Sequence, residues 1–189
     1  SMGLPLAISW FLHDGMWRIW LWSLAGTVAV GGMLWAATDR FRREMQPRHG
    51  VILVTFVWVF LPLCASVPLL LAYAEMGKPL SFTHAYFEAV SGLTTSGATV
   101  LASLDTLPVS INIWRTFLQW LGGMGILILA VAILPLLGVG GSQLFRAEAA
   151  GPVKDTKLTP RITGTAKGLW GVYAVFSISC ALAFWLAGM

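Results

Sequence analysis

The sequence predicts an all-α membrane protein in which transmembrane helices flank one short re-entrant helix and an extended loop. Three observations predict this fold. Hydrophobic residues make up 57% of the 189 residues and charged residues only 11%, which is more apolar than a soluble domain of this size. Four apolar runs have roughly the length that spans a bilayer. Between the second and third runs, residues 81–101 (SFTHAYFEAVSGLTTSGATVL) are too short and too polar to cross.

Each apolar run predicts one transmembrane helix. Residues 3–12 are only about half as long as a spanning helix, so we expect the chain to begin inside one whose start is missing. The second run holds two prolines, which membrane helices tolerate. The third run is long and is expected to tilt or break near Gly122, Gly123 and Gly125. The four runs are residues 17–37, 51–73, 111–137 and 168–186.

The basic residues predict the orientation of these helices. Nine of the twelve Lys and Arg residues lie in the two loops after the first and third runs, which places both loops in the cytoplasm. The net charge of +4 is therefore a topology signal rather than a sign of nucleic-acid binding. The nine residues are Arg40, Arg42, Arg43, Arg48, Arg146, Lys154, Lys157, Arg161 and Lys167.

The segment between the second and third runs must then begin and end on the non-cytoplasmic side of the membrane. If residues 81–110 crossed the membrane, the next basic loop would lie on the wrong side. If they formed an ordinary external loop, their apolar side chains would be left in water. A re-entrant segment satisfies both constraints, so we expect a short helix, capped by Ser81 or Thr83 and ending near Gly92, that returns as extended chain.

The polar residues after this helix are the candidate ion-binding site. Non-helical backbone at membrane depth survives only where protein buries it or where it lines a watery cavity, and its carbonyls then need water or cations. Gly97 favours pore lining because glycine reaches positive φ without steric cost, although a packed turn remains open. The short helix would also direct its negative carbonyl end toward the site. The candidate filter residues are Thr94, Thr95, Ser96, Gly97, Ala98 and Thr99.

Three further residues are candidates for supporting the filter. Glu88 is the acid within the re-entrant helix, where it would either concentrate cations, hydrogen-bond the back of the filter, or simply pair with a neighbouring helix. Arg115 and Gln119 lie four residues apart on the third run and would brace the loop, with snorkelling of Arg115 to the interface as the alternative. Asp105 is interpreted as a solvated loop acid in preference to part of a cation-attracting vestibule.

Other side chains give no sign of catalysis or of a cofactor. Cys64 and Cys180 lie inside apolar runs and are expected to be small packing residues. The glycines of residues 138–141 lack the preceding strand and the following Lys of a phosphate-binding loop, so they predict a helix end. The histidines, His13, His49 and His84, are far apart in sequence and do not suggest a metal site. We therefore expect a protein that is not an enzyme.

Three stretches resemble the TrkH-type membrane subunit of Trk/Ktr potassium uptake systems: YFEAVSGLTTSGATV, WRTFLQWLGGMGILILAVAILPLLGVGG and FRAEAAGPVKDTKLTPRI. The resemblance implies a potassium-channel-like fold, in which the short re-entrant helix is a pore helix and the extended loop is a filter loop. It also implies a potassium-selective pore built from four helix, pore-loop, helix repeats, with residues 95–98 in the first filter strand. It assigns potassium binding to the backbone carbonyls of Thr95, Ser96 and Gly97. It also implies a homodimer gated by a cytosolic nucleotide-binding regulatory subunit, which would contact residues 142–167.

The predicted organisation follows the repeat. Residues 1–50 hold N-terminal helices and a basic cytoplasmic loop, 51–141 the first repeat, 142–167 a cytoplasmic loop, and 168–189 the first helix of a second repeat. One loop supplies a quarter of a filter, so we expect the chain to be a fragment.

The predicted function is potassium uptake by a multi-pass protein of the bacterial inner membrane, in contact with lipid, with potassium as substrate rather than cofactor. Two other functions remain open: a non-conducting structural or assembly subunit, and a pore for sodium or ammonium. The sequence also leaves open whether transport is channel-like or is a symport coupled to proton or sodium.

Overall fold

The computed structural model describes residues 2–38, 47–133 and 158–188, and over these ranges the chain is all-α with no strand. Six α-helices follow in chain order, with a 3-10 turn at Leu104–Thr106 between the fourth and fifth. They are α1 (Gly3–Leu12), α2 (Trp17–Thr38), α3 (Pro47–Glu75), α4 (Phe82–Leu93), α5 (Val109–Ile133) and α6 (Leu158–Leu186).

Three stretches among the described residues are long and apolar enough to cross a membrane. They are Trp17–Thr38, Ile52–Glu75 and Ala166–Leu186, with mean hydropathies of 1.5, 2.3 and 1.8. Their bounds agree with the first, second and fourth predicted runs to within two residues. Pro62 and Pro68 lie inside α3, which continues through both, as the sequence predicts.

α5 occupies the third predicted run but is not among these three candidate spans. Its first half carries Asn112, Arg115 and Gln119, which lower its hydropathy. The last four residues of the predicted run, 134–137, lie outside the described residues. The membrane span at this position therefore stays a prediction.

The chain divides into two compact units, Ser1–Gly122 and Gly123–Met189. In the first unit, the core forms around Trp20 of α2, Leu69 of α3, and Ile111 and Trp114 of α5, each of which is almost fully buried. The rings of Trp20 and Trp114 meet edge to face at 5.5 Å. In the second unit, α6 exposes large apolar side chains, including Val175, Phe176, Ile178 and Trp185.

Side-chain hydrogen bonds from aromatic residues connect the helices of the first unit. The indole of Trp20 donates to the hydroxyl of Ser110 at 3.0 Å, and the indole of Trp114 donates to the carbonyl of Ala65 at 3.1 Å. Because both indoles are buried, these bonds satisfy donors that would otherwise be costly to remove from water. α5 is thus bonded to both α2 and α3.

Several sequence-based predictions concern residues outside the described ranges. Arg40, Arg42 and Arg43, the glycines of 138–141, and residues 142–157 of the predicted partner-binding loop are among them. The proposed domain boundaries, the orientation of the helices and the contact with a regulatory subunit remain predictions.

Candidate functional site

α4 is a short helix with a well-defined start. Ser81 has an extended backbone (φ −66°, ψ 149°), and its hydroxyl accepts the backbone N–H of His84 at 3.2 Å, so Ser81 rather than Thr83 is the cap. The hydroxyl of Tyr86 donates to the carbonyl of Val59 at 3.2 Å and connects α4 to α3. One face of α4 is buried, formed by Ala85, Glu88, Ala89, Ser91, Gly92 and Leu93.

The six candidate filter residues follow α4 directly, and we call residues 94–99 the polar loop. Its first amides still bond to the end of the helix: Thr95 N to the carbonyl of Gly92 at 3.0 Å, and Ser96 N to that of Ser91 at 3.1 Å. Thr95 and Gly97 have positive φ, 59° and 71°, so the backbone is in the left-handed region on both sides of Ser96. Every residue of the polar loop is exposed.

The carbonyl oxygens of the polar loop differ in whether a protein group bonds them. Within the described residues, no donor bonds the carbonyl oxygens of Thr95, Ser96 or Gly97. The carbonyl of Ala98, in contrast, accepts the hydroxyl of Ser91 at 2.6 Å. The carbonyl oxygens of Thr94 and Thr99 also have no donor among these residues, so Ala98 is the one loop residue whose carbonyl is engaged within the described structure.

Glu88 connects the far end of the polar loop to α5. One carboxylate oxygen accepts the hydroxyl of Thr99 and the backbone N–H of Val100, both at 2.6 Å. The other oxygen accepts Nε of Arg115 at 3.0 Å. The side chain of Glu88 is 2% exposed and that of Arg115 13% exposed, so this is a buried ion pair whose charge is shared with two neutral donors.

The remaining predicted support residues are placed differently. Gln119 is half-buried on α5, and among the described residues it has no hydrogen bond to Glu88, to Arg115 or to the polar loop. Asp105 is exposed in the 3-10 turn. The structure therefore groups Glu88 and Arg115 with the loop and leaves the other two outside this hydrogen-bonded network.

Glycines allow α5 to approach the end of α4. A Cβ added to Gly122 would overlap the carbonyl oxygen of Leu93 and lie 2.7 Å from its carbonyl carbon. A Cβ added to Gly92 would lie 3.0 Å from Cβ of Leu118. Because the backbone of α5 contacts the last residue of α4, the start of the polar loop has a rigid support.

Asp14 is a structural residue that reasoning from sequence missed. Its carboxylate accepts the backbone N–H of Ser110 and that of Met16, each at 3.1 Å, and the hydroxyl of Ser9. Ser110 is the second residue of α5, so a negative charge lies at the positive end of that helix. Partial burial alone would raise the pKa of Asp14, but the hydrogen bonds from Ser110, Ser9 and Met16 outweigh it and lower the pKa below its ordinary value.

Ser91 was also missed by reasoning from sequence. A serine within a predicted helix carries no visible signal, since its partners Ser96 and Ala98 become neighbours only when the loop folds back. One sequence feature would have suggested this contact: Ser91 lies near the end of the predicted helix, five residues before Ser96 and seven before Ala98.

Comparisons with known proteins extend over nearly the whole chain. The family profile described as "TrkH: Cation transport protein" matches residues 21–189. The Trk system potassium uptake protein TrkH of Halomonas elongata is 50% identical over all 189 residues, and that of Escherichia coli K12 is 45% identical. TrkG of Escherichia coli K12 is 35% identical over the same length. This chain spans 38–39% of the length of these relatives.

A solved structure is similar in fold as well as in sequence. The crystal structure of the potassium transporter TrkH from Vibrio parahaemolyticus superposes with a TM-score of 0.82 at 40% identity. The match covers all of this chain and 36% of that one.

Proposed function

The chain belongs to the TrkH family of cation transport proteins, and on that premise we propose that it takes part in potassium uptake, with the polar loop as one strand of a carbonyl-lined selectivity filter. In this proposal α4 is a re-entrant pore helix. The carbonyls of Thr95, Ser96 and Gly97 bind potassium, while Thr94, Ala98 and Thr99 frame the strand.

The observation that carries the proposal is the run of loop carbonyls, those of Thr95, Ser96 and Gly97 among them, that have no donor in the described residues. The loop is exposed in the described structure, but a re-entrant loop at membrane depth has no bulk water beside it, and an unpaired backbone oxygen there costs about 1–3 kcal/mol. A dehydrated potassium ion supplies the missing partner, because rings of carbonyl oxygens replace its hydration shell. The positive φ of Thr95 and Gly97 supports this proposal. In a regular helix or strand, these carbonyls would accept hydrogen bonds from backbone N–H groups and could not bind an ion.

The surroundings of the polar loop are suited to holding a cation. α4 ends at Leu93, immediately before the loop, so the negative end of its dipole, worth about half an elementary charge, lies next to the site. The Glu88–Arg115 pair holds Thr99 and Val100 without adding net charge. The loop is thus restrained at its far end, while the middle carbonyls stay free to bind an ion.

A complete pore requires more than one such strand. We propose that four repeats contribute strands to one filter, that the protein assembles as a homodimer in the bacterial inner membrane, and that a cytosolic nucleotide-binding subunit contacts residues 142–167. The relatives named above belong to Trk systems, which supports the expectation of partner subunits.

Rubidium uptake by the full-length gene product in a potassium-transport-deficient host tests the proposal. We expect Gly97→Ser to reduce uptake at least about tenfold, since a side chain at positive φ costs roughly 1–2 kcal/mol and displaces the carbonyls beside it. Gly77→Ser is the matched control: Gly77 has φ 67°, close to the 71° of Gly97, and a Cβ added at either position has nothing within 4 Å. Normal uptake by an inserted Gly97→Ser protein would refute the filter assignment.

Flux through purified protein in liposomes separates the alternatives. A potassium-selective flux supports the proposal, and a sodium- or ammonium-selective flux identifies a different cation. Absence of flux together with stable partner binding would identify a non-conducting assembly subunit.

A further inference from the structure

Ser91 is a buried residue that contacts the polar loop. It lies on α4 and is 4% exposed. Its hydroxyl oxygen is 2.6 Å from the carbonyl oxygen of Ala98 and 2.9 Å from the hydroxyl oxygen of Ser96. No other side chain among the described residues bonds a carbonyl of the loop.

The direction of these bonds follows from the number of protons. A carbonyl oxygen can only accept a hydrogen bond, so Ser91 must donate its single hydroxyl proton to the carbonyl of Ala98. Ser91 then has only lone pairs to offer Ser96, and the Ser96 hydroxyl must be the donor in that pair. The result is a directed chain from the Ser96 hydroxyl through the Ser91 hydroxyl to the Ala98 carbonyl.

This chain divides the carbonyls of the loop into two groups. The oxygen of Ala98 is engaged by Ser91, while those of the other five loop residues have no donor in the described residues. Discrimination between potassium and sodium depends on the number of coordinating carbonyls and on how firmly they are held. The Ser91 hydroxyl acts on both quantities: it removes one carbonyl from the set and fixes the backbone next to the set.

We propose that Ser91 is a positioning residue for ion selectivity, whose hydroxyl holds the Ala98 carbonyl away from the ion and so keeps it out of the coordinating set. This inference rests on the proposed filter function of the loop. Without the hydroxyl, the Ala98 carbonyl becomes a further acceptor for the ion, and the Ser96 hydroxyl keeps only its longer bond, 3.4 Å, to the Ser91 carbonyl. The strand can then close around the smaller sodium ion, so selectivity falls before transport does.

The backbone of this region does not depend on the Ser91 side chain. The carbonyl of Ser91 accepts the N–H of Ser96 at 3.1 Å, and this bond survives replacement by alanine. Ser91→Ala therefore removes one hydroxyl and leaves the end of α4 intact. Ser91→Thr restores a hydroxyl at the same place.

The test is the ratio of sodium to rubidium uptake by the full-length protein in a potassium-transport-deficient host. We expect Ser91→Ala to keep rubidium uptake but raise the ratio by about fivefold, the order of one net hydrogen bond. Ser91→Thr should return the ratio toward wild type. Ser66→Ala is the matched control, because Ser66 is also buried and its hydroxyl also donates to a helix carbonyl, that of Leu63, at 2.8 Å.

The outcomes separate this inference from the filter proposal. An unchanged ratio in Ser91→Ala, or an equal rise in Ser66→Ala, would overturn the inference, even if Gly97→Ser abolishes uptake as the filter proposal requires. If Ser91→Ala does not reach the membrane, Ser96→Ala decides, since Ser96 is exposed and its loss should raise the ratio by a smaller factor in the same direction. A wild-type ratio in Ser96→Ala would then count against the role of Ser91.

Discussion

At the scale of single residues, Glu88 combines two functions that sequence reasoning had kept as alternatives. It pairs with Arg115 on a neighbouring helix and also bonds the hydroxyl of Thr99 and the N–H of Val100 at the end of the polar loop. Both oxygens of the carboxylate are occupied, so a neutral amide of the same shape cannot replace them. The –NH₂ group of a glutamine at this position would face either the Arg115 guanidinium or the Val100 N–H, and both of these are donors.

Glu88→Gln is expected to destabilise the protein by about 3 kcal/mol, because it leaves the Arg115 charge buried without its partner. The measurement is the thermal unfolding midpoint in detergent, together with rubidium uptake, which should fall because Thr99 and Val100 lose their acceptor.

Asp105→Asn removes a carboxylate of the adjoining turn and serves as the control for Glu88→Gln. It should leave the midpoint unchanged, since Asp105 is exposed. Equal midpoints for Glu88→Gln and wild type would contradict the bracing role of Glu88.

At the scale of elements, α4 and α5 approach through their backbones at Gly122. We expect Gly122→Ala to destabilise the pair by at least about 2 kcal/mol, since the new methyl group overlaps the carbonyl of Leu93 and neither backbone can yield locally. Size-exclusion chromatography after graded heating measures the effect. Gly31→Ala on α2 is the control, because its Cβ would have nothing within 4 Å and should cost nothing.

The sequence predicted most of the helices because hydropathy and capping are local properties. The bounds of α2 and α3 follow from apolar runs that end in charged or turn residues, and Ser81 was one of two expected caps for α4. α5 was predicted in the same way, and its observed start at Val109 lies two residues before the predicted run.

Contacts between distant residues could not be predicted in the same way. Asp14 and Ser110 are 96 residues apart, and Glu88 and Arg115 are 27 apart; no local pattern identifies either pair. The positive φ of Gly97 was foreseeable from residue type, but that of Thr95 was not, because threonine rarely adopts it.

At the scale of the whole molecule, Asp14 joins the N-terminal helices to α5, the helix that follows the polar loop. It lies between α1 and α2 and accepts a bond from the start of α5. The lowered pKa of Asp14 means that the folded state favours the carboxylate, so this stabilisation is present above the ordinary value of 3.8 and is lost as the pH falls through the lower folded-state pKa.

Asp14→Asn is therefore expected to lower the unfolding midpoint at neutral pH, with the difference from wild type narrowing below pH about 3.8. Thermal unfolding in detergent across this range measures it. A difference that grows on acidification would have the wrong sign and would contradict the assignment.

The central claim is that the carbonyls of Thr95, Ser96 and Gly97 bind potassium, and anomalous scattering from rubidium-soaked crystals of the full-length protein tests it most directly. The account predicts an anomalous peak in direct contact with these three oxygens and not with that of Ala98. Peaks that lie only elsewhere, or protein donors bonded to all three oxygens, would contradict it.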